Sequence, residues 1–203
     1  MNVTSSRRER KKQVIRSGII DSAIELFSTR GIEAVTVEEI ADHADIGKGT
    51  VYNYFQTKED IVVAFIVDLE RKVQTELAKF ISPKRRLDAI LADFILHQFR
   101  MKEPHYRFVR VFLAEMFLRT EQFLPYMIEI QKATDPPLEK LFDNFVQRGA
   151  IRSELNVENV IFAFKTVHLG LTALWAVEGP PFRGTERAVH QTMKIFCQGI
   201  ETL

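Results

Sequence analysis

The sequence has almost no cysteine, no strong excess of charge of either sign and no long apolar run free of charge. Its one cysteine, Cys197, excludes a disulfide framework within one chain and favours a buried structural thiol in a reducing compartment. Residues 1–12 are polar and basic, without the apolar segment of a secretory signal, and the most apolar stretch, 160–177, contains Lys165 and His168. We therefore expect a soluble, cytoplasmic protein without a membrane partner.

Signals of enzyme chemistry are equally scarce. No glycine-rich phosphate-binding loop is present, Cys197 has no base near it in the sequence, and the histidines lack metal-ligand spacing. The net charge of +1 creates no global field that would identify a partner. The sequence thus predicts no catalytic residues, no metal and no cofactor.

Helical periodicity dominates the chain, and no run alternates with the period of two that is typical of strands. We predict an all-α fold of about nine to ten helices. A first helix over 14–30 ends at Gly31, and a long helix opens at Thr57 and runs to Phe80. Further helices are predicted to start at Ser82-Pro83, Pro104, Asp135-Pro136, Asn156 and Thr185.

Two short helices lie between Thr36 and Phe55, separated by only a few residues, which is helix-turn-helix spacing. Thr36 to Glu39 has the spacing of a capping box, so the first short helix starts there. Together with the 14–30 helix, this segment predicts a three-helix core formed by Ile15, Ile19, Phe27, Val37, Ile40, Ala41, Ile46, Val51 and Phe55.

The second short helix leaves a polar face exposed, and no acidic residue lies between Gly47 and Lys58. Lysines and hydroxyls on such a face suit phosphates, and an asparagine amide suits base edges. Residues 1–60 carry nine basic and ten acidic residues, and this balance alone would argue against DNA binding. The acids, however, lie mainly on the first two helices and not on the second short helix. The candidate DNA contacts are Thr36, Lys48, Gly49, Thr50, Tyr52, Asn53, Tyr54 and Lys58.

The segments Gly31-Ile32-Glu33-Ala34-Val35-Thr36-Val37-Glu38-Glu39-Ile40-Ala41 and Gly47-Lys48-Gly49-Thr50-Val51-Tyr52-Asn53-Tyr54-Phe55-Gln56-Thr57-Lys58-Glu59-Asp60 resemble the signature of TetR-type transcriptional regulators. The resemblance implies that Thr36 and Lys58 contact phosphates, and that Tyr52 and Tyr54 contact phosphate or sugar. It places Lys48, Gly49, Thr50 and Asn53 at or near base edges.

Two positions depart from the family pattern. Asp45 stands where the turn commonly has glycine, and Gly47 stands where the recognition helix commonly starts with serine or threonine. Asp tolerates the left-handed conformation better than most residues, and Gly is an acceptable N-cap. The basic residues from Arg7 to Lys12 form either a solubilising terminus or an arm in the adjacent minor groove.

We predict three parts: a basic flexible tail over 1–12, a helix-turn-helix domain over 13–73 with its motif at 36–55, and an effector-binding and dimerisation domain over 74–203. An ordinary aromatic core explains most of the phenylalanines in the last part, but its methionines and aromatic residues also suit an adaptable cavity for an apolar or aromatic effector. The candidate pocket residues are Phe94, His97, Gln98, Met101, Phe108, Phe112, Met116, Met127, Phe164 and Trp175.

The last two helices carry more apolar surface than one small domain covers, and the resemblance implies a four-helix dimer interface there. The candidate interface residues are Val167, Leu171, Leu174, Val189, Met193, Phe196 and Ile200. A two-fold dimer predicts a pseudo-palindromic DNA operator. The function predicted is a DNA-binding repressor, released by a small effector; a helical scaffold that docks protein or membrane through 36–55, and an activator, are the alternatives.

Overall fold

A computed structural model describes residues 7–77 and 85–201 and has no named strand among them. The predicted all-α fold is confirmed. Its helices are α1 (Arg7–Arg30), α2 (Val37–His43), α3 (Lys48–Tyr52), α4 (Lys58–Leu77), α5 (Leu87–Lys102), α6 (Tyr106–Leu118), α7 (Thr120–Gln147), α8 (Val157–Glu178) and α9 (Arg183–Ile200), with a 3₁₀ turn at Glu103–His105. The predicted helix start at Ser82-Pro83 lies outside the described residues.

The first helix is longer than predicted. It begins at Arg7, so residues 7–12 extend α1 by almost two turns where the sequence had predicted a flexible tail. These residues are exposed and have good helix propensity, which lets a helix anchored further along continue outward. The helix ends as predicted: Gly31 adopts a φ of +85°, and its amide donates to the Phe27 carbonyl at 3.0 Å.

Both capping boxes form. The amide of Glu39 donates to Thr36 Oγ1 at 3.3 Å, and the amide of Thr36 donates to Glu39 Oε2 at 2.8 Å. At the start of α4, the Asp60 amide donates to Thr57 Oγ1 at 3.1 Å, and the Thr57 amide donates to Asp60 Oδ2 at 2.8 Å. These reciprocal bonds satisfy amides that have no partner within a helix, and they fix where α2 and α4 begin.

We call α1 to α3 the reading head and α5 to α9 the body; α4 connects them. The head core is buried as predicted around Ile19, Phe27, Ile40 and Val51. It is not a separate core, because α4 packs on α1 and the same cluster continues into aromatic side chains of the body. The aromatic side chains that carry the cluster across are Phe65, Phe108, Phe112 and Phe123.

The prediction of a helix start at Asp135-Pro136 was wrong, because α7 runs unbroken from Thr120 to Gln147. Proline inside a helix removes one hydrogen bond and usually ends the helix. Here tertiary contacts offset that cost: Leu141 and Phe142 are buried just beyond the prolines, and the Asp135 carboxylate accepts from Lys165 Nζ at 2.7 Å.

The last two helices pack on α5 to α7 and complete the body core. Asn156 caps α8 as predicted, accepting from the Glu158 amide at 2.8 Å, and the Arg152 amide donates to the Ile200 carbonyl at 2.9 Å near the end of α9. Cys197 is a buried free thiol, as expected of a structural cysteine. By length and composition α8 could cross a membrane, yet it contacts α6, α7 and α9 within the protein.

Asp45, in the turn between α2 and α3, has a φ of +52°. We therefore expect two nearby alanine substitutions to change the free energy of unfolding in opposite directions. Asp45→Ala should lower the free energy of unfolding by about 1 kcal/mol, since alanine is penalised in the left-handed region. Asp42→Ala, an exposed site in the last turn of α2, should raise it by up to about 0.5 kcal/mol through helix propensity. Urea denaturation measures both; the same sign at both sites would contradict the prediction.

Candidate DNA interface and ligand cavity

The geometry of the helix-turn-helix follows from the turn at Asp45. The amide of Ile46 donates to the Ala41 carbonyl at 3.0 Å, which closes α2, and α3 starts directly after Gly47. Val51 is buried against the head core, so the opposite side of α3 faces outward. The helix is shorter than predicted, since regular α-helical structure ends at Tyr52 and the remaining residues to Phe55 form a turn.

The exposed side of α3 carries the predicted contact residues. Tyr52 is 46% exposed, Gly49 and Asn53 are exposed, and Thr50 is half-buried. A Cβ atom built on Gly49 would meet nothing within 4 Å, so nothing inside the protein requires glycine there. That leaves close approach by an external partner as a physical reason for glycine at this position.

Lys48 has a partner that the sequence analysis missed. Its Nζ forms an ion pair with Glu38 of α2 and lies 5.7 Å from the centre of the Tyr52 ring. The hydrogen bond from Lys48 lowers the pKa of Glu38, and the same bond raises the pKa of Lys48. Both groups are exposed, so this pair can open when a stronger anion approaches.

Two other predicted contacts already have roles within the head. Thr36 Oγ1 belongs to the capping box, although its residue is exposed. Lys58 Nζ donates to the Glu33 carbonyl at 2.9 Å and to the Val35 carbonyl at 3.3 Å, which ties the start of α4 to the loop before α2. A phosphate at Lys58 would have to share an ammonium group that also orders this loop.

The first turns of α1 lie beside the same surface. A groove of about 530 Å³ is lined by Arg10, Lys12, Gln13, Arg16 and Tyr54 together with Glu9. Tyr54 therefore connects α3 with the basic start of α1. A helical conformation of residues 7–12 at this surface was not predicted, since they were expected to form a flexible tail that is either solubilising or an arm in the adjacent minor groove.

A cavity of about 320 Å³ lies between α4, α5, α7 and α8. Four of the predicted pocket residues line it: Phe94, Gln98, Met127 and Phe164. Six do not: His97, Met101, Phe108, Phe112, Met116 and Trp175. Phe108 and Phe112 belong to the core that joins head and body, and Trp175 lies between the Phe99 and Phe182 rings beside a second cavity of about 190 Å³.

The cavity has walls that are mainly apolar and a polar cluster that we call the inner polar group: Glu70, Gln98, Lys102 and His168. Glu70 and Lys102 form an ion pair of 2.7 Å, and Lys102 Nζ also donates to Gln98 Oε1 at 3.3 Å. Burial raises the pKa of Glu70, but the Lys102 ammonium more than offsets this and holds it below the ordinary value. Burial, with a further contribution from Lys102, lowers the pKa of His168 to about 4.

Sequence reasoning missed Glu70 and His168 as cavity residues. For His168 the available signal was a polar residue within the apolar helix α8, whereas Glu70 lies among the other charged residues of α4 and gave no such signal. The His168 signal showed neither that the two residues meet nor that they line a cavity. Within the described part of the chain, no group of three or more histidine, cysteine, aspartate or glutamate side chains could hold a metal ion.

The predicted dimer surface needs correction. Leu171, Val189, Met193 and Ile200 are buried inside a single chain, because they pack on α5 and on each other's helices, and they therefore offer little surface to a second copy. Leu174 is exposed, and Val167 and Phe196 are half-buried. The exposed apolar side chains of α8 and α9 are Phe162, Leu169, Leu174, Val177 and Ile195.

Comparisons of the sequence and of the structure with known proteins both find transcriptional regulators. A sequence profile of bacterial regulatory proteins of the tetR family matches residues 19–65. The HTH-type transcriptional repressor KstR2 of Rhodococcus jostii is 27% identical over 70% of this chain and 71% of its own length. The fatty acid metabolism regulator protein of Bacillus subtilis is 26% identical over 68% and 72%. The crystal structure of the transcriptional regulator FadR from Bacillus subtilis in complex with stearoyl-CoA superposes with a TM-score of 0.76 at 21% identity, covering 91% of this chain and 99% of that one.

The Glu38–Lys48 pair leads to a prediction about DNA affinity. Glu38→Gln should raise affinity for the operator roughly threefold to tenfold, because it frees Lys48 and removes an anion beside the phosphate backbone. The measurement is fluorescence anisotropy at fixed salt with labelled operator. Glu186→Gln, an exposed site on α9, is the matched control and should leave affinity unchanged. Unchanged or weaker binding by Glu38→Gln would contradict the prediction.

Proposed function

We propose that this chain is a DNA-binding, ligand-responsive regulator of the TetR family and that it acts in the cytoplasm as a homodimeric repressor without enzymatic activity. Each subunit inserts α3 into the major groove of a pseudo-palindromic operator, and an apolar effector in the cavity releases the DNA. The observation that carries this proposal is the exposed face of α3, which has hydroxyl, amide and ammonium groups and no acid between Gly47 and Lys58.

The proposed DNA contacts divide by chemistry. Lys48, Thr50 and Asn53 lie on or next to α3 and read base edges, with Gly49 allowing the backbone to approach closely. Tyr52 and Tyr54 contact phosphate or sugar, and Thr36 and Lys58 contact phosphates at either side. The exposed bases Arg7, Arg8, Arg10, Lys11 and Lys12 extend this surface along the first turns of α1.

The proposed dimer forms through the exposed apolar residues of α8 and α9 that do not line the cavity: Leu174, Val177 and Ile195. Val177 is 77% exposed and Ile195 is 70% exposed. Soluble monomers rarely expose several large apolar side chains on two adjacent helices, so this surface indicates an interface. A two-fold axis through this surface repeats the same contacts on both subunits. It sets two copies of α3 roughly 34–36 Å apart, which is one turn of DNA.

The proposed effector occupies the cavity between α4, α5, α7 and α8. Phe94, Leu138 and Phe164 give it an apolar interior, which suits an acyl chain or a fused ring system. One structural neighbour was solved with stearoyl-CoA, and one curated relative is named for fatty acid metabolism; both support an apolar effector.

Release requires that the effector favours a state that does not bind DNA. Helix α4 lines the cavity through Glu70 and also packs on the reading head, and its residue Phe65 lies in the core that joins head and body. A shift of α4 therefore moves the head, and in a dimer it changes the spacing of the two α3 helices. A coupling of about 1–3 kcal/mol weakens DNA binding roughly 5- to 150-fold.

Selection of genomic DNA fragments by the purified protein tests the DNA-binding proposal. We expect recovery of one pseudo-palindromic site, with affinity that falls steeply as salt rises because phosphate contacts release counterions. Lys48→Ala and Tyr52→Ala should weaken binding while the dimer persists in analytical ultracentrifugation. No enrichment over shuffled DNA, or binding that is insensitive to salt, would favour a protein-docking scaffold instead.

A cavity-filling substitution tests the effector proposal. Leu138→Trp should reduce the ability of stearoyl-CoA to release operator DNA by tenfold or more, because the larger side chain fills space between α7 and α8. Leu118→Trp, at an 81% exposed site on α6, is the matched control and should respond like the unmodified protein. Equal release in both variants would exclude this cavity as the effector site.

A further inference from the structure

The inner polar group is the feature of the cavity that an apolar effector alone does not explain. Its members come from three helices: Glu70 from α4, Gln98 and Lys102 from α5, and His168 from α8. Lys102 is buried, and Glu70 and Gln98 line the cavity beside Phe94 and Phe164. Polar groups in such a place are costly unless they are fully paired, so an unpaired one indicates a missing partner.

His168 is the member without a partner. Its Nε2 atom is buried and forms no hydrogen bond within the described part of the chain. The imidazole is stacked between two rings, with centroids 6.4 Å from Phe99 and 6.2 Å from Phe164 and interplanar angles of 14° and 6°. These ring contacts help to fix the imidazole with its Nε2 buried and without a hydrogen bond in the described residues.

The charges of the group restrict what that partner can be. The ion pair makes Glu70 and Lys102 together neutral, and the low pKa of His168 leaves its ring neutral near pH 7. A ligand carboxylate at His168 would be a third buried charge, close to the carboxylate of Glu70 and without a cation of its own. A hydroxyl or carbonyl has no such cost and can bond to a neutral imidazole nitrogen.

We propose that the inner polar group selects an effector whose apolar body ends in, or is interrupted by, one uncharged hydrogen-bonding group, a hydroxyl or an ester-type carbonyl, bound at His168 Nε2. This inference depends on the cavity being the effector site, as proposed above. It also assigns Glu70 a selective role: its carboxylate disfavours ligands that carry a free carboxylate at this end.

The outer end of the cavity has a different character. Phe162, Thr166 and Leu169 are exposed there, and the Lys165–Asp135 ion pair is partly exposed to solvent. A charged portion of a larger ligand is accommodated at this end, where water still solvates it. The inner end thus recognises an uncharged group, and the outer end tolerates a charged one.

Three probes of the same chain length test the proposal: 1-decanol, methyl decanoate and decanoate at pH 8, each titrated by calorimetry with the full-length protein, the uncharged probes below their solubility limits and decanoate below its micelle concentration. We expect both uncharged probes to bind at least about tenfold tighter than decanoate. Equal or tighter binding of decanoate would overturn the proposal, since it would mean that a carboxylate replaces Glu70 as the partner of Lys102.

Two variants assign the selectivity to residues. Glu70→Gln should improve decanoate binding and bring the ratio of affinities towards one, whereas Glu154→Gln, at an exposed site, is the matched control and should leave it unchanged. His168→Phe keeps an aromatic ring between Phe99 and Phe164 but removes the nitrogens, so it should weaken 1-decanol binding about tenfold. If Glu70→Gln does not fold, the unmodified protein and His168→Phe decide the question.

The possible failures are distinguishable. If none of the probes binds and stearoyl-CoA releases DNA equally from Leu138→Trp and Leu118→Trp, the cavity is not the effector site and both proposals fall. If the probes bind without discrimination between charged and uncharged ends, the effector site stands and only the role of the inner polar group is refuted. If the discrimination survives unchanged in both Glu70→Gln and His168→Phe, that role is refuted as well.

Discussion

The packing of Phe65 against Phe108 is the interaction on which the rest of the structure depends. The two rings meet edge to face with centroids 5.1 Å apart, and Phe112 and Phe123 extend the same cluster into α7. Phe65 belongs to α4, and α1 also packs directly on α6, so the core of the reading head continues into the body through both helices. Ion pairs reinforce the joint, with Arg16 on Asp68 at 2.6 Å and Arg119 on Glu33. A close-packed joint transmits displacement, since it cannot deform continuously.

The same helix carries Glu70 into the cavity. Burying an ion pair among apolar walls contributes little to stability, because the desolvation of both charges offsets much of their attraction. In the role proposed above, the Glu70–Lys102 pair serves the selection of a ligand rather than stability. It crosses from α4 to α5, so a ligand that changes the surroundings of Glu70 acts directly on the helix that supports the reading head.

Much of the fold could be predicted from local sequence, and the exceptions have identifiable causes. The capping residues Thr36, Thr57 and Asn156 marked helix starts correctly, because their hydrogen bonds reach only two or three residues along the chain. Asp135-Pro136 misled for the opposite reason. Its local signal for a helix boundary was real, but the burial of Leu141 and Phe142 and the Lys165 ion pair outweighed it through contacts that are distant in sequence.

The sequence by itself determined the helix-turn-helix and the polar face of α3, because these depend on spacing and residue type within about twenty residues. Only the tertiary structure decided which apolar stripe faces the core, which faces solvent and which lines the cavity. Helical periodicity shows that a face is apolar, but not what covers it. Leu171 and Val189 are covered within one chain while Leu174 is not, and Glu70 and His168 meet only because α4 and α8, nearly one hundred residues apart, pack around the same space.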